Sequence, residues 1–243
     1  MTKHPIRRRG ALLAFVVVRS LVRWLPLSLA QALGRMLGYV AYAVLGAHRR
    51  LAIQPLRLAL GPRASAWTCT RVTRGVFVNL GKSFLEWLVV DRLSPDALRR
   101  RVDVYGLRYL TDALSKGRGV IAISAHFGNW ELLAATVTSL GFQGGVLARR
   151  LRYPEFEPWL MQMRARKGVA TYARGSLKEI AEVLRANQVI GLLPDQDVDS
   201  LEGIFVDFFD RPAYTPVGPA ALTLMTGAPI VPIHIDGMRG GPF

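Results

Sequence analysis

Residues 119–141 read GVIAISAHFGNWELLAATVTSLG, and the order of textures within them decides the fold. After Gly119 comes a short apolar run, 120–124, of strand length. A polar loop containing Gly128 follows. Residues 130–140 then form an apolar helical stretch stopped by Gly141. The same strand–loop–helix unit recurs downstream. Strands are expected at 145–148, 169–172, 189–193, 204–208 and 230–235. Between them lie a helix at 154–167 after Pro154, a helix at 176–187, and a helix at 216–225 closed by Gly227. Ser176-Leu177-Lys178-Glu179 has the pattern of a capping box. Upstream, helices are expected at 64–90, after Ser94-Pro95-Asp96, and at 106–116. This alternation predicts an α/β domain with a mixed, largely parallel sheet flanked by helices. Functional sites in such domains gather at the carboxyl ends of the strands. The sequence stops at Phe243, soon after the last strand, where a covering helix is expected. The C-terminus is therefore expected to be incomplete.

Charge divides the 243 residues in two. Glu86 is the first acidic residue, and 14 of the 32 Lys and Arg precede it. The other 18 basic residues face all 17 acidic ones, so residues 1–85 carry +14 of the net +15. A hydrophobic content of 51% excludes a disordered chain. The single cysteine, Cys69, excludes an intramolecular disulfide framework and a cysteine-based structural zinc site. No metal or redox cofactor is expected.

An acid-free basic segment meets either nucleic acid or an anionic membrane. Arms that bind nucleic acid spend their charge on phosphates and are polar. This one is apolar: residues 10–18 read GALLAFVVV and 36–47 read MLGYVAYAVLGA. A membrane partner, and no nucleic acid, is the reading. Residues 24–47 are long enough to span but contain Pro26 and Arg35. Arginines flank them on both sides, as in a helix lying in the headgroup layer. Interfacial or re-entrant anchoring, one true span, a cleaved signal peptide and an apolar layer packed on the domain all remain open. The division adopted is a membrane-anchoring helical segment at 1–50 and an α/β catalytic domain at 51–243.

Of the four histidines, His4 and His48 lie in the basic segment and His234 in an apolar strand. His126 sits between a strand and a helix, five residues before Glu131. On a continuous helix that spacing would rotate the two apart. On a loop bent at Gly128, His126 can fold back over Glu131. A carboxylate on one ring nitrogen fixes the tautomer and raises the basicity of the other. The second nitrogen then takes a proton from a substrate hydroxyl. Taken alone, a histidine near a glutamate is structural more often than catalytic. No G-x-S-x-G elbow is present, which weighs against a serine hydrolase.

The stretch SAHFGNWELL resembles the His-four-residues-acid motif of the glycerolipid acyltransferase superfamily. With Glu131 as the acid it is similar to the lipid A biosynthesis (Kdo-dependent) acyltransferase family. Arg164 and Arg166 in MRARKGVATYARG resemble that family's paired arginines, with Arg174 a further basic position. LLPDQD, carrying Asp195 and Gln196, resembles its Asp-Gln segment. IFVDFFDRPAYTPVGPAALTLMTGAPIVP and VNLGKSFLEWL also fit. Asp207 and Asp210 depart from a segment that is usually more apolar.

The resemblance implies a glycerolipid acyltransferase-like fold and acyl transfer from a thioester, on acyl carrier protein or coenzyme A, to a hydroxyl of a lipid A-type glycolipid. It implies His126 and Glu131 as the catalytic pair, and Asn129, Arg164, Arg166, Asp195 and Gln196 as substrate-binding residues. Arg164 would hold a phosphate or the developing oxyanion. Asp195 would line the pocket or cap a loop. Phe205, Phe208 and Phe209 would line an acyl groove or pack in the core. Another glycolipid acceptor, such as a phosphatidylinositol mannoside, and a non-catalytic membrane-binding relative are the alternatives. The implied location is the cytoplasmic side of a bacterial inner membrane.

Overall fold

A computed structural model describes residues 5–151, 153–173, 175–196 and 202–236. Arg174 lies outside these residues. Four helices come first: α1 Pro5–Val22, α2 Leu27–Val44, α3 Gly46–Leu60 and α4 Ala66–Val90. Then follow α5 Pro95–Arg99, α6 Leu107–Leu114, β1 Val120–Ile123, α7 Trp130–Ser139, β2 Gly144–Ala148 and α8 Glu157–Arg166. The chain continues through β3 Ala170–Ala173, α9 Leu177–Arg185, β4 Val189–Leu192, β5 Gly203–Asp207, β6 Pro212–Pro216, α10 Gly218–Thr226 and β7 Ile230–Pro232.

The central sheet has the order β3-β2-β4-β1-β7, and every pairing in it is parallel. Alternation along β1 and β4 distributes the core. Ile121, Ile190 and Leu192 face a cluster with Ile180, Leu184 and Leu222. Val120, Ala122 and Val189 face the opposite cluster with Leu110 and Ala113. Period-two patterning thus covers both faces of a buried parallel sheet.

One expected strand leaves this sheet. Residues of β5 pair antiparallel with β6, and the two form a separate hairpin. Phe209 and Asp210 turn it with φ of 51° and 57°, the left-handed geometry of a tight hairpin turn. A second correction concerns helix α9. It begins at Leu177, but the Ser176 side chain makes no capping bond. Capping does hold at Ser94, whose Oγ accepts from Ala97 N–H, and at Asn129, whose Oδ1 accepts from Leu132 N–H at 3.1 Å.

The N-terminal helices are fitted to the domain. A Cβ on Gly81 of α4 would lie 2.3 Å from the Gly34 carbonyl oxygen, and one on Gly38 of α2 would lie 2.5 Å from that of Phe77. The backbones of α2 and α4 therefore touch along a glycine seam. Val22, Ala30, Leu85, Leu88 and Val89 close a core between α1, α2 and α4. The 50/51 boundary falls within α3. None of the described helices is long and apolar enough to cross a membrane. Their outer surfaces are nonetheless apolar, with Met36, Tyr39, Val40 and Val44 of α2 and Leu80 and Phe84 of α4 exposed.

Candidate active site

His126 stands on the loop between β1 and α7, at the carboxyl end of the sheet. Gly128 makes the loop possible. Its φ is +60°, and a Cβ there would lie 1.9 Å from the Ile235 carbonyl oxygen. Asn129 then caps α7, and its Nδ2 donates to the Ser83 carbonyl and to Glu86 Oε2.

The carboxylate that meets His126 belongs to Asp195, just beyond β4. Asp195 Oδ1 lies 2.8 Å from His126 Nδ1, and Oδ2 accepts the His126 backbone N–H at 2.8 Å. An ionised carboxylate at Nδ1 requires the proton on that nitrogen and leaves Nε2 as the basic one. Nε2 has no hydrogen bond to a described residue. The edge-on Trp130 ring lies 5.1 Å from the imidazole, centroid to centroid. Both His126 and Asp195 side chains are one-third exposed, so the pair is open to an incoming ligand.

The expected hydrogen bond between His126 and Glu131 is not formed. Glu131 turns instead to Arg164 of α8, which donates through Nε at 2.9 Å and Nη2 at 2.5 Å. Both side chains are only 10% exposed. A planar guanidinium fork matched to both carboxylate oxygens explains why Glu131 has none left for His126.

Arg166 is likewise engaged. It donates to Asp91 through Nε at 3.1 Å and Nη2 at 2.7 Å, while Arg19 of α1 holds the other oxygen at 2.8 Å. Burial pushes the Asp91 carboxyl up, but the bonds and charges of Arg19 and Arg166 outweigh it and hold it below the usual carboxylate range. Burial pushes the Lys167 ammonium down against the pull of Asp91. Its Nζ donates to the Leu93 carbonyl.

A groove of about 1030 Å³ opens beside His126 and runs between α7, α8 and the sheet. Glu131, Asn129, Arg164 and Gln196 border it, whereas Arg166 does not. Its deeper walls are apolar, with Leu133, Val137, Phe142, Val146, Leu160 and Ile180 among them. Phe205, Phe208 and Phe209 neither line the groove nor pack in the core. They are exposed on the hairpin, and Phe208 stacks edge-on against Phe209 at 4.6 Å. The base of the hairpin, Glu202 and Pro216, borders the groove instead.

Three groove residues lay outside the expectations. Ser124 Oγ is buried and has no hydrogen-bond partner among the described residues. Arg149 and Arg150 follow β2 at the groove mouth. Their position at a strand end, in the stretch LARRLRYP, was the available signal. Among the described residues no group of three or more His, Cys, Asp or Glu is arranged to hold a metal ion.

Residues 3–241 match the model of the bacterial lipid A biosynthesis acyltransferase family. Among individual relatives, a phosphatidylinositol mannoside acyltransferase of Mycobacterium tuberculosis is 29% identical over 163 residues, covering 64% of this chain and 51% of the relative. The protein of the same name from Mycolicibacterium smegmatis is 29% identical over 166 residues, covering 66% and 54%. The lipid A biosynthesis lauroyltransferase of Escherichia coli is 26% identical over 219 residues, covering 87% of this chain and 69% of the relative. The chain thus spans about half the length of the mycobacterial relatives it matches. With a family match over nearly its whole length, this chain belongs to the bacterial lipid A biosynthesis acyltransferases.

Proposed function

We propose that the protein moves a fatty acyl chain from a thioester, on acyl carrier protein or coenzyme A, to a hydroxyl of a membrane glycolipid. The observation that carries this reading is the His126–Asp195 pair at the head of an apolar groove. His126 Nε2 takes the proton of the acceptor hydroxyl as its oxygen attacks the thioester carbonyl carbon. The tetrahedral centre collapses, the carbon–sulfur bond breaks, and the imidazolium returns the proton to the leaving thiolate. Asp195 orients the ring and stabilises its charged form, the part first expected of Glu131. Glu131 and Arg164 together fix the start of α7 against α8. The apolar groove suits a hydrocarbon chain.

The acceptor has two readings. The family match favours a lipid A-type glycolipid, and the mycobacterial relatives favour a phosphatidylinositol mannoside. In both, the basic N-terminal helices hold the enzyme at an anionic bilayer, on the cytoplasmic side of an inner membrane. Each basic residue that reaches the surface contributes about 1 kcal/mol. The exposed apolar side chains of α2 and α4 support interfacial seating.

The test is transfer from a radiolabelled acyl thioester to a lipid extract by wild type and His126→Ala. Loss of transfer in a folded variant is expected, and equal transfer would overturn the mechanism. Mass spectrometry of the labelled lipid identifies the acceptor.

A further inference from the structure

The sheet order places the ends of β2, β4 and β1 side by side. His126 follows β1, Asp195 follows β4, and Arg149 and Arg150 follow β2. Neighbouring strands lie about 4.8 Å apart, which sets the arginine pair roughly 10 Å from the strand of His126. His126, Arg149 and Arg150 all line the same groove.

The cations of this region differ in what they already hold. Arg164 is neutralised by Glu131, and Arg166 by Asp91. Arg149 and Arg150 are exposed and have no hydrogen bond or ion pair to any described residue. A guanidinium already bound by both forks to a carboxylate has little left for a ligand, whereas two free ones retain all their donors.

We propose that Arg149 and Arg150 form a phosphate subsite of the groove, taking the phosphate of the co-substrate that reaches His126. Two sources share this chemistry: the phosphodiester of a lipid headgroup, and the phosphate of a pantetheine thioester. The short span to His126 favours the headgroup, because the pantetheine arm sets its phosphate far from the sulfur. The identity of the ligand rests on the acyl-transfer reading, but the binding does not.

The test is calorimetric titration of the full chain with glycerophosphoinositol and, separately, with 4′-phosphopantetheine. Wild type is compared with R149Q/R150Q and with R63Q/R71Q, which removes two exposed arginines that do not line the groove. Circular dichroism confirms that each variant is folded. The expected result is binding by wild type and by the control, weakened at least about tenfold in R149Q/R150Q, the scale of one lost charge-assisted hydrogen bond. The ligand whose affinity falls names the source of the phosphate. No binding by wild type, unchanged binding by R149Q/R150Q, or equal weakening in the control overturns the subsite. The titration needs no turnover. A protein that shows this difference yet transfers no acyl group keeps the subsite and loses the acyl-transfer reading.

Discussion

Gln31 of α2 donates a 2.7 Å hydrogen bond to Glu86 of α4, and both side chains are buried. The other Glu86 oxygen faces Asn129, the cap of α7 that follows the His126 loop. The segment expected to be a separable anchor therefore reaches to within two side chains of the site. Gln31→Ala leaves a buried carboxylate oxygen without its closest donor, a loss of about 1–3 kcal/mol. Deleting residues 1–50 also strips α2 from its glycine seam. The expected outcome is a truncated protein that leaves lipid vesicles and also melts at a lower temperature, read by co-sedimentation and calorimetry. Release from vesicles at an unchanged melting temperature would restore the picture of a detachable anchor.

Asp195→Asn tests the pairing with His126. The carboxamide can still touch the ring, but it no longer requires the proton on Nδ1 or balances the imidazolium. A fall in kcat of about 10⁴-fold is expected, the scale seen when a triad carboxylate is replaced by its amide. Melting temperature should change little, because both side chains are partly exposed. Full activity in this variant would remove Asp195 from the mechanism.

What could be read from the sequence, and what could not, follows from the range of the interactions. The alternating core was legible because the apolar run of β1 follows Gly119 and that of β4 lies between Asn187 and Pro194. The hairpin was not, because β5 alone carries the same β-rich texture as a sheet strand, and only its turn with β6 diverts it. His126 and its loop were legible for the same local reasons. Its carboxylate was not: Asp195 is 69 residues away, and Glu131, at five, is the nearer candidate. Arg164 claims Glu131 from 33 residues away, a contact that only the packing of α8 on α7 creates.

The Glu131–Arg164 pair should behave as structure before chemistry. Removing either partner leaves the other charged and largely buried, at a cost of about 3–5 kcal/mol. Glu131→Gln and Arg164→Met are expected to lower the denaturant midpoint, and the double variant should lose less than the two singles combined. Urea titration of the four proteins measures this coupling. If Glu131→Gln lowered kcat with no change in midpoint, Glu131 would belong to the reaction.

Asp91 predicts an acid-side sensitivity. Its carboxyl is held below the usual range in the folded protein by Arg19 and Arg166. The unfolded chain therefore takes up the proton first as pH falls. The stabilisation is fully present above the unfolded value, about 3.9, and is lost as pH drops through the folded one. Asp91→Asn should flatten that limb of a melting-temperature profile and lower its plateau near neutrality. A parallel profile in the variant would mean that other carboxylates set the acid limb.

Gly128→Ala joins the fold to the site in one substitution. The position has φ of +60°, and the added methyl would lie 1.9 Å from the Ile235 carbonyl oxygen. The loop must move, and His126, two residues earlier, moves with it while Asp195 stays in place beyond the end of β4. Gly75→Ala is the control: it lies in α4 with nothing within 4 Å of the new methyl. That change should stabilise the helix by about 0.5–1 kcal/mol without affecting transfer. Gly128→Ala should lower both melting temperature and kcat, with the loss of kcat persisting at temperatures where the variant is fully folded. An active, stable Gly128→Ala protein would show that the loop tolerates another path and that the contact with Ile235 does not hold His126 in place.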